Sequence, residues 1–162
     1  IFGTSGGVME AALRTAYFKI SGKEAAKLEF EDLRGTDGIK ESQINIDGLQ
    51  LNVAVVNGIG NVKKVIDEIM QGNSKYHFIE VMVCPGGCIN GGGQPIHQKP
   101  DKIKKRMKAL YEIDNEMKCR KSHENESVKL LYKEFLVEPN SHKSHEILHT
   151  KYFNRKRKKI EA

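Results

Sequence analysis

The chain has 162 residues, 38% hydrophobic and 30% charged, which is enough to fold around a buried core without depending on disulfides. Its longest apolar run, Val53-Ala54-Val55-Val56, falls far short of the roughly 20 residues of a membrane-spanning helix, so no membrane partner is expected. The balance of 27 basic against 21 acidic residues gives +6, concentrated at Lys99 to Lys108 and at Arg155 to Lys159; with no tryptophan and no aromatic ladder among these lysines, nucleic acid is not an expected partner either.

The sequence opens Ile1-Phe2-Gly3, without an initiator methionine or a signal-peptide layout, and reads as a fragment. Residues 2–7 form a glycine-rich turn, followed by helix formers from Val8 to Tyr17, with Thr4 or Ser5 available as N-cap. Leu28-Glu29-Phe30 reads as a short strand. Gln43 to Ile46, Asp47-Gly48 and Leu49 to Val56 read as a β-hairpin around an Asp-Gly turn. After Gly58-Ile59-Gly60, residues Val62, Val65, Ile66, Ile69 and Met70 keep helical spacing, and Phe78 to Val83 is a strand running into a cysteine-containing loop. This alternation predicts an α/β fold, a layered mixed sheet with flanking helices. From Lys102 the period is helical, through Ile103, Met107, Leu110, Tyr111, Asp114 and Met117. Ser127 to Leu136 is a second helix stopped by Pro139-Asn140, and residues 141–152 form a short helical turn carrying three histidines before a basic tail.

The densest chemistry lies between Glu80 and Pro95, where Cys84 and Cys88 stand among five glycines. Such glycines suit a backbone that must pass close to an inorganic ligand and aim N–H groups at its sulfur. A zinc site using His77, Cys84, Cys88 and His97 is an alternative, but neither the Cys-x3-Cys spacing nor the glycine excess suits a zinc knuckle. Three cysteines without extracellular signs point to reduced thiols or metal ligands, and to a cytoplasmic location.

Glu80-x-Met82-x-Cys84-x-Gly86-Gly87-Cys88-x-x-Gly91-Gly92-Gly93-Gln94-Pro95 resembles the last cysteine signature of the iron-only hydrogenases. Gly6 to Arg14 is similar to that family's glycine-turn helix, and Ser122-His123-Glu124-Asn125 and Leu148-His149-Thr150 to its small-subunit domain. The resemblance implies three segments: residues 1–98 as the C-terminal portion of the large-subunit domain, 99–153 as a small α-helical domain, and 154–162 as the tail. It implies an H-cluster, a 4Fe–4S cubane joined to a di-iron unit bearing CO, cyanide and a dithiolate. Cys84 matches a ligand of the cubane alone, Cys88 the thiolate bridging to the di-iron unit, Met82 a thioether beside it, and Phe2-Gly3 a pocket wall. No catalytic residue falls within this chain, because the relay cysteine and the other cubane ligands belong to earlier signatures absent here. The implied reaction of the complete protein is 2H⁺ + 2e⁻ ⇌ H₂, ferredoxin- or NAD(P)-linked, with ferredoxin or another electron carrier, the missing N-terminal half and maturation proteins as partners. A non-catalytic cytosolic iron–sulfur assembly factor is the related alternative. Glu80 reads as a structural acceptor of backbone N–H groups, and Cys119 as a buried small side chain on a helix.

His145-Glu146-Ile147-Leu148-His149 satisfies the His-Glu-x-x-His pattern of zinc peptidases, but it sits on a terminal turn without a downstream third ligand or a cleft, so hydrolysis is not expected. Gly58-x-Gly60 lacks the third glycine of a dinucleotide loop, Lys63 taking its place.

Overall fold

A computed structural model describes residues 1–95 and 99–152. Two compact units partition the chain, residues 1–122 and 123–162. The first contains α1 (Gly7–Ser21), β1 (Ile39–Ile46), β2 (Leu49–Asn57), α2 (Ile59–Met70), β3 (Phe78–Met82) and α3 (Pro100–Glu116). The strands form one mixed sheet in the order β1-β2-β3, antiparallel in the hairpin and parallel across the β2-α2-β3 crossover. The protein is therefore of the mixed α/β class. The hairpin turns at Asp47 and Gly48, both at positive φ (52° and 91°), as a two-residue turn matching strand twist requires.

β2 is the central strand and is buried from Val53 to Asn57. Successive side chains alternate between faces. Val53 and Val55 join Met9 and Leu13 of α1 and Leu33 in the main core, while Val65 is the one buried residue of α2. A smaller core joins Ile89 of the cysteine loop to Met107 and Tyr111 of α3. This packing places α3 in the first compact unit.

Three local expectations are corrected. Neither Thr4 nor Ser5 caps α1: the N-cap is Gly6, at φ 96°, and no side chain of the turn caps the helix. Residues Leu28 to Phe30 form no strand; they lead into a 3-10 turn at Glu31–Leu33, because the main-chain carbonyl of Leu28 is taken by the Arg14 Nε at 3.0 Å rather than by a neighbouring strand. Cys119 is exposed in the loop after α3, neither helical nor buried, with its thiol 3.5 Å from the carbonyl of Lys121.

The second unit, described to residue 152, holds α4 (Glu126–Leu131), a π-helical turn at Tyr132–Leu136 and α5 (His142–Leu148). The Asn125 side chain accepts the N–H groups of Ser127 and Val128, so the helix begins cleanly at Glu126. Ser141 caps α5 by accepting the N–H of Ser144. The basic tail lies outside the described residues.

Candidate metal centre

The cysteine loop leaves the end of β3 and is fixed by contacts that begin within the strand. Glu80, buried on β3, accepts the N–H of Gly6 on Oε1 at 2.6 Å and the N–H of Met9 on Oε2 at 2.7 Å. A carboxylate at a helix N-terminus satisfies orphan donors and complements the helix dipole. Glu80 is thus the acceptor its sequence position suggests, and it performs the capping that Thr4 and Ser5 leave undone.

Further hydrogen bonds join the loop to the turn before α1. Ser5 donates its N–H to the Gly86 carbonyl at 3.0 Å, and Ile89 donates to the Gly3 carbonyl at 3.1 Å. From the sheet, Asn57 Oδ1 accepts the N–H of Gly86 at 3.0 Å. Arg106 of α3 donates to the Ile89 carbonyl at 2.9 Å. Gly87, at φ 97°, sits where a Cβ would meet Gly3 O and Ser5 N at 2.7 Å. Its glycine is demanded by the close approach of two protein loops. The far end of the loop is more open: a Cβ on Gly91 would meet Cys88 O at 3.3 Å and Cys84 Sγ at 3.6 Å, while Gly92 and Gly93 have nothing within 4 Å.

The structure brings the candidate residues to one end of the sheet. Met82 is the last residue of β3 and half-buried, Cys84 follows as a half-buried free thiol, and Cys88 is an exposed free thiol opening a 3-10 turn at Cys88–Asn90. Gly3 touches that turn through its carbonyl, and Phe2 beside it is 60% exposed. His77 lies before the opposite end of β3, with Nδ1 accepting the N–H of Asn52 at 3.0 Å. The intervening strand separates it from Cys84 by roughly 20 Å at the extended rise. The zinc quartet therefore fails at His77, and His97 lies outside the described residues. Among the described residues, no third histidine, cysteine or carboxylate converges on Cys84 and Cys88. The donor chemistry suits iron–sulfur ligation, with two of the four thiolates a cubane takes.

Between α1 and α3 lies a buried charge network that periodicity did not reveal. Glu10 pairs with Arg14 and with Arg34, each at 2.7 Å, and Arg14 reaches Asp114 of α3 at 2.8 Å. Arg120 joins Asp114 and Glu29, both at 2.8 Å. Burial opposes ionisation of Asp114, but hydrogen bonds from Arg14 and Arg120 outweigh it and hold the carboxyl below its usual range. Arg34 also lies over the Tyr111 ring, 3.9 Å from its centroid, and burial raises the Tyr111 hydroxyl. Lys40, the second residue of β1, is buried and donates to the carbonyls of Ser5 at 3.1 Å and Gly35 at 2.9 Å; burial pulls its ammonium down to about 8 although Glu80 and Asp37 favour the charge. A charged residue within a strand reads as solvent-facing from pattern alone, which hides Lys40. The glutamate and arginine four apart at Glu10 and Arg14 were the visible signal for the network.

Two family models match in series: the C-terminal domain of the iron-only hydrogenase large subunit over residues 1–92, and the iron hydrogenase small subunit over 100–155. The chain belongs to the iron-only hydrogenase family. It is 47% identical over 158 residues to the NADP-reducing hydrogenase subunit HndD of Solidesulfovibrio fructosivorans, covering 97% of this chain and 27% of that protein. It is 34% identical over 153 residues to a probable cytosolic Fe–S cluster assembly factor of Aedes aegypti, covering 91% of this chain and 31% of that one. A solved FeFe-hydrogenase from Chlamydomonas reinhardtii superposes with a TM-score of 0.73 at 42% identity, covering 94% of this chain and 45% of that one. The chain thus spans about a quarter of the length of the curated hydrogenase and less than half of the solved one. The family is one of oxidoreductases, and its branches include assembly factors. No helix among the described residues is long and apolar enough to cross a membrane.

Proposed function

We propose that this chain forms the C-terminal part of the H-cluster site of a hydrogenase, contributing Cys84 and Cys88 as thiolate ligands, with Met82, Phe2 and Gly3 lining the site. The observation that carries the reading is a pair of free thiols on a loop tied to the turn before α1, to β2 and to α3, with its more open end built of small residues. When bound, the cluster supplies the redox and H₂ chemistry. The protein's own part is positional. Glu80 fixes the N-terminus of α1 against β3, Asn57 and Ser5 set the height of Gly86, and Arg106 holds the turn that carries Cys88. The half-buried Met82 offers a soft thioether without a proton to exchange.

The remaining thiolates and the relay cysteine come, in this reading, from an N-terminal portion of the kind that makes the relatives longer. That portion also covers the apolar side chains left exposed on α2 and β3: Ile59, Ile66, Ile69, Met70, Phe78 and Val81. Within the division suggested by the sequence, residues 1–98 serve the cluster and 99–153 brace it. Ferredoxin or a nicotinamide-linked module delivers electrons, and maturation proteins assemble the di-iron unit in the cytoplasm. The assembly-factor reading retains a cubane but no di-iron unit, and is favoured by the 34% identity to the Aedes aegypti protein.

The test joins this chain to the N-terminal portion of the Solidesulfovibrio relative and matures the product. Infrared bands of iron-bound CO and cyanide, with H₂ evolution from reduced viologen, are expected from the joined protein and from neither piece alone. A cubane without those bands would favour the assembly-factor reading.

A further inference from the structure

The His-Glu-x-x-His segment is not absorbed by the hydrogenase reading, and its geometry is specific. His145 lies on α5 and His149 at its C-cap, four residues on, where helical period places both on one face. Both imidazoles are exposed, their Nδ1 atoms are 2.9 Å apart, and the rings meet edge to face with centroids 4.5 Å apart. With neutral rings, one Nδ1 donates a proton that the other accepts. Two exposed imidazoles this close on one helix face can form a bidentate chelate, because rotation about their broad χ2 wells breaks the hydrogen bond between them and turns both lone pairs to a common point.

No third protein ligand converges on the pair among the described residues, so water completes the shell.

We infer that His145 and His149 form a surface chelate for a divalent transition ion that favours imidazole ligands, bound through the two Nδ1 atoms. The experiment titrates the full chain with nickel(II) by calorimetry, after blocking Cys84, Cys88 and Cys119 with N-ethylmaleimide so that thiolates do not compete. X-ray absorption of the nickel sample reports the number of imidazole ligands. One equivalent of nickel(II), bound through two imidazoles, is expected. His145→Ala and His149→Ala should each weaken it at least 10-fold, with unchanged circular dichroism, while Glu146→Gln leaves it intact. Nickel affinity insensitive to both histidine substitutions, or one imidazole in the absorption spectrum, would overturn the assignment.

Discussion

Around α1 the protein buries charge, and along α2 it leaves hydrocarbon in water. Glu10 and Arg14 are 0% and 1% exposed, whereas Ile66 and Met70 are 49% and 80% exposed. The first arrangement is stable because it is complete: each buried charge around α1 meets an opposite charge or a carbonyl, and Glu80 meets two N–H groups. The second keeps helical period without a matching surface, and β3 beside it is the sheet edge, with no strand on its outer side among the described residues. An amphipathic helix normally turns its apolar stripe inward. The contrast separates a region whose interactions close within this chain from one whose interactions require more protein.

Breaking the closed region should have the largest effect. Arg14→Ala leaves buried Glu10 with Arg34 alone and Asp114 with Arg120 alone, and is expected to destabilise the fold by about 2–4 kcal/mol, read by urea unfolding; a loss below about 1 kcal/mol would mean the network is not closed as described. Gly87→Ala forces a Cβ against Gly3 O and Ser5 N at positive φ, and should cost about 2–4 kcal/mol in the same assay. Gly92→Ala, with open space around it, is the near-neutral control.

These two regions also differ in how far the sequence reveals them. The hairpin was legible because Asp47-Gly48 permits the positive φ values its turn needs, and α2 because its apolar spacing is strong. Glu80 was legible because an acid inside an apolar strand must find donors. Three features were not. The cap of α1 comes from a residue more than seventy positions away, so a local search among Thr4 and Ser5 fails. Leu28 to Phe30 carries strand-like residues whose carbonyl goes to Arg14 instead of to a sheet. The glycines of the cysteine loop suggested a cradle for a ligand, whereas Gly87 is fixed by the loop of residues 2–7. A distant approach of this kind leaves no periodic trace.

Lys40 offers a graded probe of the closed region. Its folded ammonium titrates near 8 against an ordinary value of 10.5, so the unfolded chain binds more protons between these values and stability must rise with pH there. The burial penalty is complete below about pH 8 and is relieved as pH climbs. Measured against Lys40→Met, which lacks the group, the wild-type chain should gain about 2 kcal/mol between about pH 8 and 10. A difference flat across that window would show that the ammonium is not buried.

The smallest effect on stability belongs to the open region. Ile66→Glu and Ile69→Glu, at exposed positions, should shift unfolding of this chain by no more than about 0.5 kcal/mol. Each should nevertheless weaken association with an added N-terminal portion at least 10-fold, measured by calorimetry. Unchanged association would remove α2 from the interface.

The central claim, that Cys84 and Cys88 are cluster ligands and Cys119 is not, is tested most directly by iron and acid-labile sulfide content. Protein joined to the N-terminal portion and reconstituted anaerobically with iron and sulfide should load a cubane. Cys84→Ala and Cys88→Ala should each lose most of that iron, while Cys119→Ser keeps it in full. Full loading in both loop variants, or loss of iron with Cys119→Ser, would contradict the account.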